Sequence, residues 1–586
     1  MSERGKVHGA SAGARPPRVG ARGAGRLLAG AALVGLAAAA IAGCRARAVP
    51  RPAPSLAILI AVDSLRADLL DRYDPVLRHG FRRLRDRGFR FTRTLVDHAV
   101  TTSQPGHVTL ATGVVPSRHG IVDGVFYERG DDGVSRYTDA LRDPGERIVG
   151  VAGFPGVSPR RILAPALPEW LAAADPGARI VALGSGLFSP VLHAGRARGD
   201  VFWYLAAAGR YVTSSYYRED EPEWVERFNA DRLPHLIDEA LAWYNETPPE
   251  ARALALPDDA PMEAYGRRGT FPHLFEEEVP ADRRKDPMAR ARWLAGMPHL
   301  DGATLALARE AIAARRLGRR EATDYLAIVL SQTDPIGHRY GPFSQEQLDA
   351  LLRLDRELGE FFAFLDRTVG AGRWVAALSS DHGMIDIPEH RAAGGLPGRR
   401  IDHADVRLLL GRVGTALERL PASAGAQERA RRVAAVVEEA DFVAEAMTPD
   451  DLEGHGDNGP FLALYRNSWR PDRVPRSPLF WLQTMESPVA AAGVAVRLEE
   501  GTIVDLDPAA HGSPYAYDRH VPFILLGAGV EPGAGDAPVR TLDVAPTLAA
   551  LAGIPVPGGL DGRPLLGEAA PETSGNGAPA GAPTRP

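Results

Sequence analysis

Short uncharged runs punctuate the chain at wide intervals, and each closes on polar residues. "SLAILIAVDS" closes at Asp63, "DYLAIVLSQTD" at Asp334 and "RWVAALSSDH" at Asp381-His382, while "VPFILLGAGV" follows late in the chain. Continuous rather than alternating apolar runs mark strands that are buried on both faces. Between them lie stretches with helical periodicity, such as "SQEQLDALLRLDRELGEFFAFLDRTV". The pattern therefore predicts an α/β fold, a largely parallel central sheet flanked by helices. In such sheets ligands gather beyond the carboxyl ends of the strands, which is where Asp63, Asp334, Asp381 and His382 all fall.

Two stretches break this rhythm. From about 200 to 320, "VFWYLAAAGRYVTSSYY" alternates like a small hairpin, then gives way to polar, Pro-rich sequence and the helical "GATLALAREAIAARR". It predicts a cap inserted over the sheet edge. A second insertion, about 386 to 508, also lacks long buried strands. No internal repeat is evident.

Composition and charge sharpen the picture at the ends. The 586 residues are 45% hydrophobic and 24% charged, enough to bury a large core. Residues 1–43 carry six cations against Glu3; removing that net +5 from the total of −6 leaves −11. An acidic remainder excludes a non-specific nucleic-acid binder. The cations run into an uncharged Ala/Leu/Gly-rich stretch ending in Ile41-Ala42-Gly43-Cys44. This is the layout of a secretory signal, and it resembles the bacterial lipoprotein box, in which the cysteine is lipidated and becomes the new N-terminus. Cys44 is the sole cysteine, which also excludes an intramolecular disulfide framework. The expected layout is a signal over 1–43 and a Pro-rich tether over 44–54 that holds an exported domain of residues 55–566 at the membrane, facing the periplasm or cell surface. Residues 567–586, "GEAAPETSGNGAPAGAPTRP" from Gly567 on, have almost no apolar bulk and read as a disordered tail.

The candidate chemistry lies at the strand ends. Asp63, Asp334 and His338 in "TDPIGH", Asp381 and His382 in "SSDHG", and His511 in "AAHGSPYAYDRHVPF" supply three carboxylates and three imidazoles. One aspartate after a strand is ordinarily a helix cap, but three of them, two with a histidine nearby, read as ligands. Mixed oxygen and nitrogen donors suit zinc. Six exceed the needs of one catalytic zinc and fit two ions. Pro335 and Gly337 predict that Asp334-x-x-x-His338 forms a loop. Upstream, "AVTTSQPGHVTLATG" concentrates small hydroxyls before Gln-Pro-Gly-His.

Asp63 after a strand, Ser103-x-Pro-x-His107, "ATGVVPSRHGIV", Asp334-x-x-x-His338, Asp381-His382-Gly383 and a late His511 together resemble the alkaline phosphatase superfamily. Within it they resemble the nucleotide pyrophosphatase/phosphodiesterase branch and the related phosphate-irrepressible alkaline phosphatases. The resemblance implies an alkaline-phosphatase-like α/β sandwich and two zinc ions. One would be held by Asp334, His338 and His511, the other by Asp63, Asp381, His382 and the nucleophile. It places that nucleophile four residues before His107, at Ser103, which would carry the phosphoryl group as a covalent intermediate. It leaves His107 a structural role.

Where relatives carry an Asn that binds a phosphoryl oxygen, this chain has Gly124. Where the irrepressible phosphatases carry a Lys-x-Arg pair, it has Gly186 and Phe188. A phosphate monoester is a dianion and gains most from such donors. Their replacement favours a diester, whose second organic group Gly124 and Phe188 would accommodate. The rival functions are a monoesterase, a sulfatase and a non-catalytic surface lipoprotein of the same fold. A sulfatase is disfavoured by His107, which stands where the sulfatase motif has arginine. The expected partner is a small-molecule phosphate ester.

Overall fold

The computed structural model describes residues 53–566 except 131–134, 187, 267–268, 455–458, 477, 479–487 and 505. The expectations for the signal, Cys44 and the C-terminal tail lie outside the described residues. Among the described residues no helix is long and apolar enough to cross a membrane.

The apolar runs build one ten-stranded sheet. Its strands are β1 (Leu56–Val62), β2 (Phe89–Leu95), β3 (Ile180–Gly184), β4 (Asp200–Leu205), β5 (Arg210–Val212), β6 (Asp324–Leu330), β7 (Trp374–Ser379), β8 (His520–Gly527), β9 (Gly533–Gly535) and β10 (Val539–Arg540). They lie in the order β9-β2-β8-β7-β1-β6-β3-β4-β5, and β10 also pairs with β2. The central block β7-β1-β6-β3-β4 is parallel throughout, while β8 and β5 pair antiparallel with their neighbours.

Six helices matter for the site and the core: α1 (Ser103–Thr112), α2 (Ser189–Ala194), α3 (His299–Arg315), α4 (Thr333–Tyr340), α5 (Gln345–Leu365) and α6 (Val544–Ala552). Every residue of β1 is 0% exposed. Leu56, Ile58, Ile60 and Val62 join one hydrophobic cluster with α3 and α5, while Ala57, Leu59 and Ala61 join the other with α1, α2 and α6. That two-sided burial is why the run lacks polar alternation. It contributes roughly 1.5–3 kcal/mol for each large side chain removed from water.

The first insertion does not begin where the alternation suggests. Residues 200–212, assigned above to a cap, form β4 and β5 of the central sheet. The cause is two-faced burial: Phe202 and Tyr204 enter one cluster, Trp203 and Leu205 the other. Helix α3, also assigned to the cap, packs under the same sheet. The intervening residues add no separate core, because Trp224, Trp243, Phe275 and Trp293 belong to the main cluster.

The second insertion has its own apolar cluster. Helices His403–Glu418 and Ala426–Val437 pack there with the paired strands Val443–Met447 and Ala495–Leu498. The short strand Arg473–Pro475 ties it to the main body by pairing antiparallel with Val125–Arg129, Pro475 opposite Phe126. That register delivers the next residue, Arg476, to the Asp123–Gly124 turn.

Candidate metal-centred active site

The polar ends of three parallel strands converge. Asp63 follows β1, Asp334 opens α4 just past β6, and Asp381-His382 follow β7. His511 arrives on the loop before β8. The loop is pinned by Asp518, whose carboxylate accepts from the Ser513 backbone N–H at 2.8 Å and its hydroxyl at 2.6 Å. Burial pushes the Asp518 carboxyl up to about 7.

Asp63, Asp381 and His382 each offer a ligand atom within 4.8 Å of the other two, as do Asp334, His382 and His511. His382 therefore sits between the two groups. His338 joins the second group through Asp334: its Nε2 and the Nε2 of His511 both lie 3.5 Å from Asp334 Oδ1. The Asp334-x-x-x-His338 segment is helical, which corrects the loop expected from Pro335 and Gly337. Pro335 is the third residue of α4, where a backbone N–H has no intrahelical acceptor to lose. Gly337 is there for close packing, since a Cβ on it would lie 2.8 Å from Met384 Sδ.

The three imidazoles share one orientation. Nδ1 of His338 lies 2.8 Å from Ala509 O, that of His382 2.8 Å from Gly383 O, and that of His511 2.9 Å from Thr101 O. A carbonyl only accepts, so each Nδ1 carries a proton and each Nε2 is turned toward the carboxylates. Such backbone contacts commonly orient metal-binding histidines. Facing them, Asp63 Oδ1, Asp334 Oδ1 and Asp381 Oδ2 are buried without a hydrogen-bond donor. Burial, reinforced at Asp63 by Asp381, raises the Asp63 and Asp334 carboxyls above their ordinary values. At His382 burial disfavours the charged ring, but Asp381, Asp63 and Asp334 outweigh it and lift its pKa to about 9. The cavity thus concentrates negative potential on unsatisfied oxygens, which is a fit for bound cations.

Ser103 stands at the first position of α1, its Oγ 3.2 Å from His382 Nε2. Thr102, in extended conformation, turns the chain into the helix. The helix N-terminus favours an anion beside the hydroxyl. Thr101 faces the other way: its hydroxyl donates to Ser513 O at 2.9 Å and accepts from Gly512 N–H at 3.1 Å, so it positions the His511 loop.

His107, given a structural role above, is brought to the centre. Its fully buried Nε2 lies 3.4 Å from Asp381 Oδ2 and 3.7 Å from Asp63 Oδ2, and Nδ1 is 3.1 Å from His193 Nε2.

The two substrate-contact expectations fare differently from the ligands. Gly124 is buried, and its place is filled by Gln104, whose side-chain atoms begin 2.6 Å from where a Cβ would stand. Phe188 packs edge-on against Trp203, ring centroids 5.5 Å apart, and is not among the residues lining the chamber over Ser103. Sequence reasoning missed Asp123 and Arg476, which do line that chamber of about 260 Å³.

The sheet order and the polar rim define a hydrolase of the alkaline phosphatase superfamily. Residues 57–492 match the family model of type I phosphodiesterase / nucleotide pyrophosphatase, and the chain belongs to that family. It is 29% identical over 531 residues to alkaline phosphatase PhoV of Synechococcus elongatus, covering 87% of this chain and 92% of that protein. Alkaline phosphatase PafA of Elizabethkingia meningoseptica is 26% identical over 542 residues, covering 89% and 95%. The solved structure of wild-type PafA matches with a TM-score of 0.75 at 25% identity, over 89% of this chain and 99% of that one. The alkaline phosphatase relationship implies a metal cofactor, and the donor set described above fits one.

Proposed function

We propose that this chain is an exported, zinc-dependent hydrolase of phosphoric esters, with diesters preferred, acting through a phosphoserine at Ser103. The observation that carries the reading is the set of three Nε2 atoms turned toward three buried carboxylate oxygens that lack a hydrogen-bond donor, beside the Ser103 hydroxyl. Two zinc ions, one held by Asp334, His338 and His511 and the other by Asp63, Asp381, His382 and Ser103, would supply the positive charge that makes an alcohol reactive at neutral pH.

Ser103 gives up its hydroxyl proton to solvent and its Oγ attacks phosphorus, the Oγ–P bond forming as the bond to the leaving alcohol's oxygen breaks. The departing oxygen takes a proton from solvent. Water then attacks the phosphoserine and releases the phosphorylated product, and Ser103 regains its proton. The first-turn N–H groups of α1 orient the anion through both steps.

Elemental analysis paired with an ester panel tests this reading. We expect two zinc ions per chain, loss of turnover on chelation and recovery on adding zinc, with a phosphodiester cleaved faster than a monoester or sulfate ester. A metal-free chain that turns over none of the three is the surface-binding lipoprotein instead. A dominant monoester or sulfate ester rate would reassign the substrate.

The export reading rests on the 27–44 segment. Cys44→Ser is expected to abolish incorporation of labelled fatty acid and to shift the protein out of the membrane fraction on cell fractionation. Retained label would remove the lipid anchor from the reading.

A further inference from the structure

The Asp123–Gly124 turn is tied to the residue preceding Ser103. The Asp123 carboxylate accepts from the Thr102 hydroxyl at 3.1 Å, from Gly124 N–H at 2.7 Å, and from Arg476 Nε at 2.9 Å and Nη2 at 3.1 Å. Gly124 O accepts from Ala140 N–H at 2.9 Å, so the buried glycine is engaged through both of its backbone groups. Its φ lies outside the left-handed region, so backbone freedom is not what glycine supplies here. What it supplies is room. A Cβ at 124 would lie 2.6 Å from Gln104 Cδ, 2.6 Å from its Oε1 and 2.8 Å from its Nε2. The whole carboxamide of Gln104 therefore lies against the Gly124 α carbon. Gln104 follows Ser103 directly, which puts their α carbons about 3.8 Å apart. Both line the chamber, together with Thr102, Asp123, His338 and His511. Among the described residues no protein group hydrogen-bonds the half-buried carboxamide. Its N–H donors and its carbonyl oxygen are left to whatever occupies the chamber.

We propose that Gln104 is a substrate-binding residue whose carboxamide donates to a non-bridging phosphoryl oxygen of the ester at Ser103, and that position 124 is glycine so that this amide keeps its place. An ester attacked by Ser103 Oγ brings its non-bridging oxygens beside the start of α1. The hydroxyls of Thr101 and Thr102 are already engaged there, with Ser513 O and Asp123, which leaves Gln104 as the polar chain neighbour available to meet them. An N–H donated to an anionic oxygen is a charge-assisted contact. A donor fixed in advance also stabilises the charge that gathers on those oxygens during transfer. The seat against Gly124 restricts the amide's rotamers, so less freedom is lost when the ester binds. Being neutral, the amide lacks the long-range pull that a bare cation exerts on a dianion, which suits a singly charged diester. This inference rests on the phosphoserine reading above and names a group that holds its substrate.

The test measures kcat/KM for 4-nitrophenyl phosphate and methyl 4-nitrophenyl phosphate, which share a leaving group, on the metal-loaded full chain. Loss of one charge-assisted contact predicts a fall of about 10- to 100-fold for Gln104→Met on both esters. Methionine keeps the length and bulk of the side chain, so a residue that only fills space would lose little. Gln104→Glu keeps the shape, removes the donor and adds a negative charge. It is expected to fall at least about tenfold below Gln104→Met, and further on the dianionic monoester than on the diester. Gly124→Ala reaches the same amide from the other side. The three atoms its Cβ would meet most closely all belong to the flexible Gln104 side chain, so the fold should stand while the amide is pushed off its seat, with a loss close to that of Gln104→Met. In a Gln104→Ala background that space is open, and Gly124→Ala is expected to cost nothing further, a non-additivity that two independent defects do not show. Thermal midpoints should stay at the wild-type value throughout. Wild-type kcat/KM in Gln104→Met, full additivity of the two substitutions, or losses that track a fall in thermal midpoint each overturn the assignment. Ser103→Ala separates the two readings. Turnover surviving there overturns the phosphoserine reading and this inference with it, whereas an inactive Ser103→Ala beside unimpaired Gln104 variants overturns this inference alone.

Discussion

Ser103→Ala is expected to lower turnover of every ester substrate by at least about 10³-fold while leaving the fold in place, as removal of a covalent nucleophile does. The fold should survive because, among the described residues, Ser103 Oγ makes one hydrogen-bond contact, with His382 Nε2, and the residue sits half-buried at a helix start. Truncating one oxygen there should shift stability by no more than about 0.5 kcal/mol. Thermal unfolding is therefore expected to match the wild type. Ser103→Thr keeps the hydroxyl and is expected to keep measurable turnover. The deciding measurement is acid-quenched trapping of phosphorus-labelled protein, present in the wild type and absent in Ser103→Ala. A variant still within tenfold of wild-type turnover would mean that water attacks phosphorus directly, and Ser103 would lose its role.

Much of the fold was legible because burial on both faces leaves an unmistakable trace. β1, β6 and β7 are runs of seven, seven and six residues with no exposed position. Each ends where a polar residue first becomes affordable. The same trace misled at residues 200–212. "VFWYL" is just such a run, but its aromatics and the nearby hairpin turn read as a separate small unit. The pairing of β4 with β3 on one side and β5 on the other shows it to be sheet.

At the site, the residue types and their strand-end positions were visible, and the family resemblance supplied their grouping, but the distances among them were not. Spacing along the chain cannot say that His382 lies between two groups of ligands or that His107 reaches Asp381, since those distances are set by how strands stack. Nor could it reveal α4. Pro335 is a helix breaker in general and harmless in a first turn, and local sequence does not state where the turn begins. Arg476 was illegible for a deeper reason. It lies 353 residues from Asp123, on an insertion whose position depends on a three-residue strand pairing, so no local motif marks it. Gly124 carried a misleading signal: a missing side chain suggested room for substrate, whereas Gln104 from α1 already occupies the space.

Gly106→Ala is expected to cost at least about 100-fold in turnover although Gly106 carries no functional group. A Cβ at 106 would lie 2.5 Å from Asp381 O, 2.7 Å from Asp381 Cβ and 2.9 Å from Asp381 C. Backbone atoms cannot rotate aside, so α1 must move away from the end of β7. Ser103 and His107 are carried by α1, and Asp381 and His382 by the end of β7, so the shift opens the 3.2 Å contact between Ser103 Oγ and His382 Nε2. Misplacement of reacting groups by about 1 Å costs on the order of 100-fold in rate. Overpacking of this kind also costs about 1–3 kcal/mol of stability, which a lowered thermal midpoint would register. Gly411→Ala is the matched control. Gly411 lies in the helix His403–Glu418 with nothing within 4 Å of its Cβ position. The helix should gain about 0.5–1 kcal/mol from alanine there, with turnover unchanged. If Gly106→Ala retained full turnover, α1 and the end of β7 would not need to stay in register, and the close approach of Ser103 to His382 would lose its catalytic meaning.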